Sequence, residues 1–201
     1  MKNKLATKIF AAFLAGSASA GAAEIKTLPE PDLNQPSPAL MQLLNTRKSE
    51  RSFDKDKKID DQTLSEILWA AYGKNSYDRR TVPTAMNQKN LKVFVLGEDG
   101  VWIYNPELNQ LEKISDENTI SYLAKQDYVF DAPVHLVYTS SDKRWGYDHA
   151  GSAYQNVYLY ATAKGLATVV RGFADFDALH DALKLSEEEF AIIHQPIGYP
   201  K

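Results

Sequence analysis

Residues 147–173, YDHAGSAYQNVYLYATAKGLATVVRGF, decide the fold. Ala150, Ala153, Tyr154, Val157, Tyr158, Ala161 and Gly165 recur at three- and four-residue spacing, so an α-helix gathers them onto one face. Leu159, Tyr160 and Ala163 add apolar groups off that stripe, which predicts a helix buried on more than one side. Gly165 suits its end, because a residue without a Cβ enters the left-handed conformation cheaply. The β-branched run Thr168-Val169-Val170 follows at once and exits through Arg171-Gly172. A buried helix feeding a short buried strand sets that Arg-Gly pair at the edge of a core, where a ligand site is expected.

Working outward, Leu91–Gly97 and Val101–Asn105 flank Glu98-Asp99-Gly100, a hairpin signal. A strand follows Pro133, and Phe190–Pro200 reads as a last buried strand. Helical spacing starts after Pro38 with Leu40, Leu43 and Leu44. It recurs at Leu64, Ile67, Leu68 and Ala71, between a cap at Asp60 or Asp61 and Gly73, and again over Phe176–Leu185. Ser115 reads as the cap of a short helix through Ile120 and Leu123, and Glu187-Glu188-Glu189 as a helix N-terminus. Residues 24–38 hold four prolines and read as an extended linker or a surface strap. The sum is α+β, a mixed sheet flanked by helices.

The first 23 residues read as a cleavable signal peptide. Lys2, Lys4 and Lys8 precede the short apolar run Ile9–Ala15, and cleavage falls between Ala20 and Ala23. That implies a periplasmic or secreted protein with no membrane anchor; the chain has no cysteine and so no disulfide. Without this segment, which carries three lysines and no acid, net charge goes from −3 to −6. Such a balance argues against nucleic acid as a partner. The remaining domain, residues 39–201 beyond the Pro-rich segment, must be held by packing alone.

Two segments bear candidate chemistry. In Arg47-Lys48-Ser49-Glu50-Arg51, alternate residues of an extended chain share a face, so two guanidinium groups and a hydroxyl suit a phosphate or form a solvated basic turn. In the polar loop Arg79–Asn87, hydroxyl and amide groups suit a polar ring edge or make ordinary local turn bonds. His135, His149, His180 and His194 lie far apart without metal-ligand spacing, so they read as structural and no metal site is expected. No nucleophile elbow, P-loop or dinucleotide-binding glycine pattern occurs.

Four motifs in order, RKSERSF (47–53), RRTVPTAMN (79–87), QNVYLYATAKGLATVVRGF (155–173) and PIGYP (196–200), resemble the FMN-dependent nitroreductase superfamily, within it the compact SagB/ThcOx-type branch. The resemblance implies a three-layer α+β sandwich with a mixed, mainly antiparallel sheet. It further implies a homodimer with FMN at the interface, and a flavoprotein oxidoreductase passing two electrons from a reduced donor, NAD(P)H among the candidates, to a small organic acceptor. By motif, Arg47 and Ser49 would hold the FMN phosphate with help from Lys48, and Arg51 would lie near the flavin N1/O2 edge. Pro83, Thr84, Ala85 and Asn87 match a loop against the flavin from the partner subunit. Arg171 and Gly172 match a strand end whose backbone N–H groups approach N5 and O4, with the Arg171 side chain changing the charge facing the site. The long helix offers His149 where some relatives place a glutamine near the flavin. No side chain need act as a catalyst, since the chemistry sits at the flavin N5. The same resemblance admits a dehydrogenase of a peptide-derived or heterocyclic substrate, or a non-catalytic flavin-binding protein.

Overall fold

Alternating burial along the strands sorts the apolar side chains into two layers. On one strand Val93 and Val95 join the cluster of Ile67, Leu68, Ala153 and Val157, while Phe94 and Leu96 join that of Leu123, Val129, Leu179 and Leu183. The computed structural model describes residues 23–34 and 36–201, so all but the last residue of the signal-peptide reading lies outside the described residues.

The strands are β1 (Ile25–Thr27), β2 (Leu91–Gly97), β3 (Gly100–Asn105), β4 (Gln110–Ser115), β5 (Val134–Ser140), β6 (Ala167–Thr168) and β7 (Phe190–Gly198). They form one sheet in the order β1-β4-β3-β2-β5-β7-β6. Every pairing among the described residues is antiparallel, so the sheet is wholly rather than mainly so. The helices are α1 (Leu40–Thr46), α2 (Asp61–Tyr72), α3 (Ile120–Leu123), α4 (Gly146–Lys164) and α5 (Phe176–Ala182). Helices α2 and α4 cover one face of the sheet; α3, α5 and a 3-10 turn at Asp127–Asp131 cover the other. The expected three-layer α+β sandwich results.

Local chemistry accounts for the boundaries. Asp60 accepts a 2.7 Å hydrogen bond from Thr63 N–H and starts α2. Gly165, at φ 67°, closes α4 with its N–H on Ala161 and Thr162. Two local readings are corrected. Ser115 ends β4 instead of capping a helix, and α3 is a single turn. The Glu187–Glu189 run starts no helix: Glu189 accepts from Ser186 N–H and pairs with Lys92 across the domain.

The Pro-rich segment is a strap built into the domain. Its β1 adds to the edge of β4, Leu28 is buried, and Pro29 C=O accepts from Ser65 Oγ and, at 2.8 Å, from Asn109 Nδ2.

Candidate functional site

At 100° per residue, His149, Asn156 and Tyr160 fall on one side of α4 and Tyr158, nine residues from His149, on the opposite side. Each side holds a different candidate segment.

On the Tyr158 side, the phenol oxygen accepts from Val170 N–H at 2.8 Å and lies 2.9 Å from Ser49 Oγ. The Arg47 guanidinium lies over the same ring, 4.9 Å from its centre. One tyrosine thus fastens the Arg47–Ser49 segment to the exit of β6. Backbone bonds continue the seam: Glu50 N–H donates to Thr168, and Asp54 N–H to Tyr199. Arg47 is half-buried; Lys48, Ser49 and Arg51 are exposed. Lys48 makes a 2.7 Å ion pair with Glu50, and this pairing, with the Arg51 and Ser52 N–H groups, holds the Glu50 carboxyl below its usual range. Among the described residues neither Arg47 nor Arg51 has a carboxylate partner. The two arginines therefore remain available to an external anion, while Lys48 is already engaged.

The strand exit corrects one expectation. Arg171 N–H donates to His194 C=O at 2.9 Å, so it is not free for a ligand. The Arg171 side chain turns into the protein. It is 7% exposed, donates to Leu123 C=O at 2.9 Å and to Gln126 Oε1 at 2.8 Å, lies 3.3 Å from His194 Nε2, and covers the Tyr128 ring. Its charge does not face the site, because the pleat and the α3 side of the sheet claim it. Gly172 lies in the open at the same exit. It is exposed, a Cβ there would meet nothing within 4 Å, and its N–H has no protein acceptor among the described residues.

On the opposite side of α4, Asn156 Nδ2 donates to Ala70 C=O at 3.0 Å and Thr81 Oγ1 donates to Trp69 C=O at 2.9 Å, tying the end of α2 to the following loop. Farther along, Ala85 N–H donates to His149 Nε2 at 2.8 Å. Pro83, Met86 and Asn87 are exposed, with Thr84 and Ala85 half-buried. Met86 and Asn87 both adopt left-handed backbone, at φ 53° and 57°. His149 thus lies behind the loop rather than facing outward. Tyr158 and Asn156 emerge from the structure as the residues that fasten the two candidate segments to α4. The signal for Tyr158 was its place on a buried stripe, since a buried phenol needs a polar partner.

A profile of the Nitroreductase family matches residues 44–199. The chain belongs to the nitroreductase family. A protein of Methanocaldococcus jannaschii is 33% identical over 157 residues, 67% of this chain and 78% of that protein. A crystal structure from Ralstonia eutropha JMP134 is 33% identical, has a TM-score of 0.81, and the match covers 88% of this chain and 90% of that one. Both are named putative nitroreductases. The Escherichia coli microcin synthetase McbBCD complex has a TM-score of 0.65 at 20% identity, covering 97% of this chain and 85% of that one, a likeness of fold. Nitroreductase-family membership makes the chain an oxidoreductase by descent and agrees with the α+β sandwich described above.

Proposed function

We propose that this nitroreductase-family chain is an FMN-dependent oxidoreductase that works as a homodimer, taking two electrons from a reduced donor, possible donors including NAD(P)H, and passing them to a small organic acceptor. The observation that carries the reading is the seam at Tyr158. It presents two arginines and a serine hydroxyl beside a strand exit at Gly172; among the described residues the arginines have no carboxylate partner and the Gly172 N–H has no acceptor. That donor set fits FMN. Planar guanidinium forks and a hydroxyl suit a dianionic phosphate, and an open glycine amide suits a flat ring edge.

Bound flavin would supply the two-electron chemistry at its N5. The chain's own residues bind and orient. Arg47 and Ser49 would hold the phosphate, in a position set by Tyr158. Arg51 would offset negative charge on the ring edge. Gly172 N–H would direct the reacting edge, and Lys48 would add long-range attraction while it pairs with Glu50. The flavin-facing loop, with Pro83, Thr84, Ala85 and Asn87, lies on the other side of α4 from the arginines. One chain therefore does not gather both groups on one face, which supports a site completed by a second copy. The apolar groups Leu40, Met41 and Leu44, exposed on α1, suit burial between copies.

The ordered motifs support placement in the compact SagB/ThcOx-type branch. The basic and apolar pattern of residues 1–23 supports export to the periplasm or beyond, and the N-terminal sequence of the mature protein tests it.

FMN titration of the apo-protein tests the site. Arg47→Ala with Arg51→Ala removes two charged phosphate or ring-edge partners and lowers affinity at least about a hundredfold. Unchanged affinity would sink the assignment of this segment.

A further inference from the structure

The Pro83–Asn87 loop holds a shape the chain alone does not favour. Two consecutive non-glycine residues, Met86 and Asn87, sit in left-handed backbone, and Met86 is 85% exposed. Side-chain burial at the tip cannot hold such a turn. Local bonds close it, Asn87 N–H to Thr84 at 3.1 Å and Gln88 N–H to Ala85 at 2.9 Å, and one long-range bond fixes it to the domain, Ala85 N–H to His149 Nε2.

That last acceptor is prepared by a chain of matched polar groups. Asp142 is an acceptor only, and it receives Arg144 N–H at 2.8 Å and Trp145 N–H at 3.0 Å in the turn leading into α4. Asn90 must therefore direct its amide N–H toward Asp142, at 2.9 Å, which leaves its oxygen for His149 Nδ1 at 3.2 Å. An oxygen at Nδ1 places the imidazole proton there and leaves Nε2 bare to accept from Ala85. His149 itself is buried, 3% exposed.

We propose that His149 is a positioning residue, set in one tautomer by Asn90 and Asp142, that holds the Pro83–Asn87 loop in the shape that faces the cofactor. The inference deepens the FMN reading and rests on it for the loop's purpose. Because His149 occupies the Ala85 N–H, the loop offers the side chains of Thr84 and Asn87 and the projecting Met86, not that amide.

Hydrogen exchange on the full-length apo-protein, followed over residues 81–90, reads the anchor without cofactor, and an FMN titration of the same samples reads its purpose. His149→Leu removes the acceptor, and the Ala85 amide exchanges about tenfold faster. His149→Gln supplies an amide oxygen in its place and restores protection. Asn90→Ala frees the tautomer while leaving His149 in place and also speeds exchange. FMN affinity follows the same order, lowest in His149→Leu and recovered in His149→Gln. Exchange that rises in His149→Leu and returns in His149→Gln supports the anchor even if no form retains FMN, in which case the flavin reading alone fails. Unchanged exchange of this segment in a folded His149→Leu or Asn90→Ala protein would overturn the proposal.

Discussion

Tyr158→Phe isolates the seam on which the cofactor reading stands. The substitution keeps the buried ring, and with it the Arg47 contact at 4.9 Å, and deletes only the hydroxyl that joins Ser49 to Val170. Val170 N–H and Ser49 Oγ each lose a partner. Ser49 is exposed and Val170 half-buried, so water replaces part of the loss. Two hydrogen bonds partly rehydrated correspond to about 1–2 kcal/mol. For a domain of this size that lowers Tm by about 2–8 °C. The same loosening frees the Arg47–Ser49 segment from the strand exit, and FMN affinity falls about five- to thirtyfold. The assays are thermal unfolding of the apo-protein and fluorescence titration with FMN. Tyr160→Phe is the control. It deletes a hydroxyl bonded to Glu66 on the opposite side of α4, so it costs stability and leaves FMN affinity within about twofold. A Tyr158→Phe protein with wild-type FMN affinity would refute the argument that this tyrosine shapes the site.

The strap should behave as core. Leu28→Ala, at a position 3% exposed, costs about 2–5 kcal/mol in urea unfolding, whereas a surface linker would cost almost nothing. Gly165→Ala meets no steric obstacle, so its cost of about 1–2 kcal/mol is the left-handed backbone alone. Acid stability follows from two buried histidines. Burial pushes His135 down to about 4, and burial with the neighbouring charges of His135 and Arg171 pushes His194 down to about 3. Both values lie below those of the unfolded chain, which therefore takes up protons first as pH falls. Stability present above about pH 6.5 is lost toward pH 4.5, by about 2 kcal/mol per histidine. Urea midpoints across that window measure it, and His194→Gln, which can still accept from Arg171, flattens the slope.

How much of this was legible depended on how local each cause is. Helix α4 and its end at Gly165 follow from a long 3.6-residue stripe and one residue without a Cβ. The hairpin of β2 and β3 follows from its turn. Strand β4 did not announce itself, because Gln110, Glu112 and Lys113 leave it only Leu111 and Ile114 as apolar groups, and three-residue β1, the edge strand, exists only by pairing with it. The Glu187–Glu189 run resembles a helix start, yet Lys92, almost a hundred residues away, claims Glu189. At the site, the Arg47–Arg51 segment and the Gly172 exit were readable as types in a pattern. The direction of the Arg171 side chain was not. It depends on pleat parity and on acceptors at Leu123 and Gln126, supplied by a distant turn. The role of His149 depends likewise on Asn90 and Asp142, which only the fold brings to it.

The most direct test of the central claim is an anaerobic spectral titration of the protein reconstituted with FMN. The account predicts about one flavin bound per chain, bleaching of its absorption by two electrons per flavin, and return of the bands when a nitroaromatic or quinone is added. Protein that retains no flavin from excess FMN, or bound flavin that no donor reduces, would contradict it.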